Sequence, residues 1–161
     1  MNWLVVAAVF VLMEPATYAT HRWVMHGRRG LRLHASHHQR NDDGGWELND
    51  WYPVLFASAG AMAAAAGASI GSLSLLLPVS MGAGLYGLAY GFVHDVYIHG
   101  RLGGGRLRPV RYLEWLKASH RVHHLFNGEP FGMLLPVVPA TLRARAAAVV
   151  RDPLPRAPVP N

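Results

Sequence analysis

The 161-residue sequence contains no cysteine, which excludes disulfides, thiolate metal sites and a cysteine nucleophile. Charge is scarce as well: Asp, Glu, Lys and Arg make up 15% of the chain, against 52% hydrophobic residues. The scarcity is uneven. From Trp51 to Val93 there is no Lys, Arg, Asp or Glu at all, over about twice the ~20 residues that one helix needs to cross the hydrocarbon core. Apolar blocks on this scale argue against an ordinary soluble fold and for a membrane. Two crossings fit this stretch, with a turn near residues 67–74. A third span runs from about Asn2 to Tyr18, interrupted by Glu14 and Pro15. It has no basic segment ahead of its apolar run, so it reads as a retained helix rather than a cleaved signal peptide.

Positive charge is present but confined. The net charge is +6; five of the fifteen basic residues lie between Arg22 and Arg40 and the other ten between Arg101 and Arg156. If basic loops stay cytoplasmic, the N-terminus lies outside, the first span runs inward, and the next two form a hairpin whose open end faces the cytoplasm. The charge then reports topology and contact with anionic membrane lipid. No recognition fold accompanies it, so nucleic acid is not an expected partner. By length the chain is one domain, taken here as residues 1–150. The tail RDPLPRAPVPN (151–161), with four prolines, is expected to be disordered.

Small residues recur every four positions in both arms of the hairpin, Ala59, Ala63 and Gly67 in one and Ala83, Gly87 and Gly91 in the other, and allow close helix contact. The loop QRNDDGGWELND (39–50) leads into the hairpin, with Trp46, Trp51 and Tyr52 placed to anchor at the interface. GRLGGGRLR (100–108) follows an apolar helix rather than a strand, so it reads as a flexible connection and not a phosphate loop. Beyond it, Pro109 suits a helix start, and residues 110–124 place Leu113, Leu116, His120 and His124 at helical spacing. The expected fold is an all-α integral membrane protein with about three to four transmembrane helices and a cytoplasmic histidine-rich helical cap.

All ten histidines fall into four motifs: HRWVMH (21–26), HASHH (34–38), HDVYIH (94–99) and HRVHH (120–124). They form a weak internal repeat, in which an apolar span ends in His-x4-His-Gly and a His-x2-His-His cluster follows. In each triplet the i, i+3, i+4 spacing puts three imidazoles on one helical stripe about 100° wide, which can face a metal. Histidines five apart differ by roughly 140° on an ideal helix. Unless the helix ends or distorts, each pair therefore straddles a centre or supplies two ions. Neutral imidazole suits iron, copper, nickel and zinc. Two zinc ions would be oversupplied by ten donors, whereas two six-coordinate iron ions would take about five each and keep an open or bridging position.

With these motifs in hand, the chain resembles the bacterial β-carotene 3-hydroxylases of the fatty-acid hydroxylase superfamily, membrane non-haem di-iron oxygenases. The likeness covers about residues 14–139. It rests on HRWVMHG, HASHH, the Asn49/Asp50 pair, GLAYGFVHDVYIHGR, and ASHRVHH with the nearby EPFGMLLP. The resemblance implies that His21, His26, His34, His37, His38, His94, His99, His120, His123 and His124 are iron ligands. It also implies two iron ions, molecular oxygen as co-substrate, electrons from a ferredoxin-type donor, and a carotenoid substrate hydroxylated at C3 of its β-ionone rings to β-cryptoxanthin and zeaxanthin. A location in the bacterial inner membrane follows, and zinc can replace iron in overexpressed protein.

A metal-bound histidine usually donates its second N–H to an acceptor, and Asp50, Asp95 and Glu114 are candidates near the motifs. Glu14 sits inside the first span, seven residues before His21 and on nearly the same face, and an intramembrane acid is a functional candidate by default. A protonated glutamic acid bonded to a neighbouring helix is the other account of it. Tyr86 and Tyr90 share the helix face of His94 and are candidates to line a substrate channel, with interhelical packing as the alternative. Two competing functions remain open: a hydroxylase, ketolase or desaturase of another lipid on the same scaffold, and a non-enzymatic membrane metal-binding protein. A metal carrier would need ligands along its path, and residues 51–93 offer none.

Overall fold

The computed structural model describes residues 2–39, 45–102 and 107–154, and among these every regular element is helical. Helix α1 (Trp3–Ala19) starts where the Asn2 side chain accepts a hydrogen bond from the Val5 amide at 3.3 Å. It continues as a π-helical segment over Thr20–Met25. A short helix α2 (Leu31–His34) follows. After a 3₁₀ turn at Leu48–Asp50, α3 (Trp51–Ser69) and α4 (Leu76–Gly91) form the expected hairpin around a second 3₁₀ turn at Gly71–Leu73. Helix α4, like α1, runs on as a π-helical segment, Phe92–Ile98. Then come α5 (Arg111–Phe126) and α6 (Ala140–Ala147).

Three stretches are long and apolar enough to cross a membrane: Trp3–Met25, Leu48–Ser69 and Leu76–Ile98. Helix α4 is the central rod, packed against α1 on one side and α3 on the other. Small residues permit this. A methyl group added at Gly82 would sit 2.5 Å from the Val6 carbonyl oxygen of α1, and one at Gly87 would meet the Phe56 ring of α3 at 3.0 Å. Gly82 lies outside the four-residue repeat read from the sequence, yet its missing side chain is what admits the Val6 backbone of α1. The outer faces carry large apolar side chains such as Leu4, Met62 and Leu88, left bare in the isolated chain, where acyl chains would cover them.

Helix α5 covers the π-helical end of α4. Its apolar side, with Leu116, joins Val93, Tyr97, Ile98, Met133 and Leu154 in one core. The helix ends at Asn127 in the left-handed region (φ 50°), which lets the chain turn back beneath the histidines. Of the proline-rich tail, residues 151–154 are described: Arg121 donates to the carbonyls of Val149 and Arg151, and Leu154 is fully buried. The remainder of the tail (155–161), part of the 39–50 loop (40–44) and the glycines of the 100–108 connection (103–106) lie outside the described residues.

Candidate metal centre

The two His-x4-His pairs sit where α1 and α4 change from α to π geometry. In a π-helix the hydrogen bond closes five residues apart rather than four, and each pair is spanned by such a bond: His26 N–H to the His21 carbonyl and His99 N–H to the His94 carbonyl, both 3.0 Å. Widening the turn brings residues five apart onto one face. The helix thus distorts at both pairs, the condition under which histidines five apart can face one ion rather than straddle a centre or supply two ions. Each stays whole and serves one group.

The triplets behave in the opposite way. His21, His26, His34, His38 and His123 bring their ligand nitrogens within 4.8 Å of one another, and so do His37, His94, His99 and His120. His124 joins the second group through His120, Nε2 to Nε2 at 2.9 Å. Each group thus contains one pair, the outer two histidines of the triplet that follows it, and the middle histidine of the other triplet. Neither triplet stays within one group. In the first, α2 ends at His34 and His37 and His38 lie in the turn beyond it. In the second, on regular helix, His123 simply points to the other side of the stripe. The groups adjoin, with the His38 and His124 rings stacked at 4.5 Å and those of His34 and His37 5.4 Å apart.

The protons on these rings can be assigned from their outer partners. His21 Nδ1 lies 3.0 Å from the Phe131 carbonyl oxygen, His34 Nδ1 2.7 Å from Asn49 Oδ1, and His123 Nδ1 2.6 Å from the Gly128 carbonyl oxygen. Those partners only accept, so each Nδ1 carries the hydrogen and each Nε2 presents a lone pair when the ring is neutral. Yet His21 Nε2 and His34 Nε2 face each other at 3.2 Å. Two lone pairs at that distance repel unless a cation lies between or beside them. Burial keeps the rings neutral: it lowers the pKa of His37 from 6.5 to about 4 and of His38 to about 3, and holds those of His99, His120, His123 and His124 well below the usual value. Neighbouring imidazoles push the same way. Buried, neutral nitrogen donors aimed at common points are the chemistry of a metal-binding site.

Comparison with known proteins agrees with that chemistry. The fatty acid hydroxylase family pattern matches residues 6–141. The chain belongs to this family. Among its relatives, the beta-carotene hydroxylase of Pseudescherichia vulneris is 36% identical over 148 residues, covering 89% of this chain and 82% of the relative. That of Paracoccus sp. (strain PC1) is 35% identical over 127 residues, covering 79% and 76%, and that of Pantoea ananas is 34% identical over 157 residues, covering 91% and 86%. No solved structure matches the chain. As a member of the fatty acid hydroxylase family it is a hydroxylating enzyme, with apolar helices of membrane-spanning length and a histidine-rich centre.

Of the four acids singled out in this hydroxylase, Asp95 alone is bonded to a histidine, accepting from His94 Nδ1 at 3.1 Å. Asp50 is gripped by both arms of Arg101, at 2.7 Å each, and by the Glu47 amide. It fastens the chain before α3 to the end of α4. Glu114 accepts from the Tyr97 hydroxyl at 2.5 Å. Glu14 takes the amides of Met133, Leu134 and Leu135 at 2.9–3.0 Å and the Tyr86 hydroxyl at 2.5 Å. All four contacts are donors, so its carboxylate is an acceptor for a loop at membrane depth and not a partner of His21. That loop carries Phe131, whose ring lies 5.2–5.4 Å from those of His21, His26 and His123.

The two tyrosines separate as well. Tyr86 is buried, with its hydroxyl on Glu14 and its ring edge-on to Phe10 at 5.7 Å, which is helix packing. Tyr90 is half-buried and its ring lies 5.1 Å from His94, between the histidines and the apolar bundle. Sequence reasoning missed Asn49 as the acceptor for His34, although the Asn-Asp pair was in view. It also missed Glu47, whose Oε2 lies 3.5 Å from His37 Nδ1. The carbonyls of Gly128 and Phe131 carry no side-chain signal, since every residue has one.

Proposed function

We propose that this hydroxylase acts on β-carotene, adding a hydroxyl to C3 of each β-ionone ring to give β-cryptoxanthin and then zeaxanthin. The names of its bacterial relatives support the substrate class. The observation that carries the chemistry is the division of ten imidazoles into two adjoining groups of five. In this reading each group holds one iron ion, and all ten histidines are ligands. The pair of ions, supplied with molecular oxygen and electrons from a ferredoxin-type donor, provides the oxidising power for breaking a C–H bond.

The chain's own residues do the positioning. Phe131 O, Gly128 O, Asn49 and Asp95 hold imidazole Nδ1–H groups so that Nε2 faces inward. Phe131 covers the first group with an apolar ring and keeps water from it. Tyr90, bordering both His94 and the bundle, lines the approach for a ring entering from the hydrocarbon; Tyr86 backs it from one turn away. A carotenoid is about as long as the ~30 Å hydrocarbon core is thick, so one end can reach the histidines while the rest stays in lipid. The distribution of basic residues supports a multi-pass inner-membrane protein with its N-terminus outside and the histidines on the cytoplasmic side.

Expression in a host that accumulates β-carotene tests this reading. The expected products carry hydroxyls at C3 and C3′. Ketolated or desaturated carotenoids, or no change in carotenoids while another lipid becomes hydroxylated, would overturn the substrate assignment.

A further inference from the structure

The two histidine groups match in their ligands but not in what stands behind them. In the group of His21, His26, His34, His38 and His123 three outer nitrogens meet neutral acceptors, the carbonyls of Phe131 and Gly128 and the Asn49 amide oxygen, while His38 Nδ1 has no hydrogen-bond partner among the described residues. In the other group two of them face acids. Asp95 Oδ1 is 3.1 Å from His94 Nδ1, and Glu47 Oε2 is 3.5 Å from His37 Nδ1. Among the described residues Glu47 Oε2 is also buried with no hydrogen-bond partner, so a carboxylate oxygen is kept out of solvent beside an imidazole.

From this difference we infer that Glu47 and Asp95 rank the two sites: the group of His37, His94, His99, His120 and His124 takes a metal ion first and holds it more tightly. The inference rests on the two-ion reading above. An imidazole that donates to a carboxylate, as His94 does to Asp95, is a stronger base toward a metal than one that donates to a neutral carbonyl, and Glu47, 3.5 Å from His37 Nδ1, acts through its charge. The negative charge also offsets the cation in a site from which water is excluded. Arg101 opposes the effect only weakly, because its two N–H arms are taken by Asp50 at 2.7 Å and it reaches Asp95 at 3.5 Å. The first group has a competing advantage, five nitrogens already within 4.8 Å against four. His124 offsets this, standing 2.9 Å from His120 as a fifth donor. Because the groups adjoin, whichever ion binds second enters against the charge of the first. That repulsion separates the two affinities and leaves the outer acceptors to set the order. Glu47 and Asp95 are positioning residues, acting through His37 and His94.

Cobalt(II) alone, titrated anaerobically into the full chain in detergent after metal removal, reads the two sites by visible absorption and calorimetry without any turnover. Two steps are expected. Glu47→Gln and Asp95→Asn should each weaken the tighter step by ~10–100-fold, the usual effect of losing an outer partner, and leave the weaker step unmoved. Asn49→Ala should do the reverse. Ligand deletions assign the steps, with His26→Ala keeping the tighter one and His99→Ala the weaker. Binding of two ions in a single step, or a tighter step moved by Asn49→Ala and not by the acid variants, overturns the ranking while leaving the two-ion reading intact. Failure to bind cobalt at all overturns that reading itself. If Asp95→Asn does not fold, Glu47→Gln carries the test, since Glu47 joins the Arg101–Asp50 clamp only through its backbone amide, which Gln keeps.

Discussion

The two halves of the centre are alike where their sequences are alike and differ where only the spacing of histidines is shared. Both His-x4-His pairs close a π turn with the same 3.0 Å hydrogen bond at the end of a membrane-spanning helix. The triplets share His-x2-His-His, yet one stands at the end of a four-residue helix and its following turn and the other on a sixteen-residue helix. Each nevertheless sends its middle histidine, His37 or His123, across to the opposite group. The repeat therefore encodes an interlock rather than two independent sites. Its supports are less symmetric, neutral oxygens behind one group and carboxylates behind the other.

The crossing histidines offer the largest way to break this arrangement. His123→Ala removes a donor from the first group although it lies in the second half, and His37→Ala does the converse. Each is expected to bring the metal content from two ions per chain to one. Hydroxylation should fall by more than the ~10–100-fold typical of losing an outer partner. Metal analysis beside product formation checks both.

Acid comes next. The histidines outside the spans have folded-state pKa values below the unfolded 6.5, down to about 4 for His37 and about 3 for His38. The unfolded chain therefore binds more protons below pH 6.5, and the metal-free protein should lose stability progressively as pH falls from there toward 4, with no such loss between pH 7 and 8. Thermal unfolding in detergent across that range measures it. Bound metal should move the loss to lower pH, because protons and metal compete for the same nitrogens.

Smaller effects test the frame that holds the two halves together. Glu14→Ala leaves three backbone amides and the Tyr86 hydroxyl without an acceptor, each worth ~1–3 kcal/mol when buried. A loss of at least ~3 kcal/mol in denaturant unfolding is expected, and first-group metal affinity should drop because Phe131 is on the released loop. Gly82→Ala forces α4 away from the Val6 carbonyl and should cost ~1–3 kcal/mol as overpacking does, with little change in metal content.

Much of this was legible beforehand, for identifiable reasons. The three spans follow from uninterrupted apolar runs, α5 from helical spacing of Leu113, Leu116, His120 and His124, and the density of imidazoles marked a metal centre. The sorting of histidines was not legible, because ideal α geometry was applied to pairs that are π-helical and to a first triplet that ends in a turn, and because on the regular α5 the spacing does not say which edge of the stripe faces which group. Nor was the role of Glu14: an acid seven residues before His21 looks like its partner until the loop at Met133–Leu135, far away in sequence, supplies three amides. Gly82 was passed over because it lies outside the regular small-residue repeat of Ala83, Gly87 and Gly91. Asn49 and Glu47 needed the fold to bring residues from before α3 against the histidines of α2 and its following turn.

Ten imidazoles arranged as two adjoining five-nitrogen sites should hold one ion per site. Anaerobic iron loading of the purified chain, with metal counting and X-ray absorption at the iron edge, tests it most directly. Two ions per chain, each in a nitrogen shell of about five imidazoles, is the result expected. A single ion at saturation, or two ions bound chiefly by carboxylate oxygen, would contradict the account.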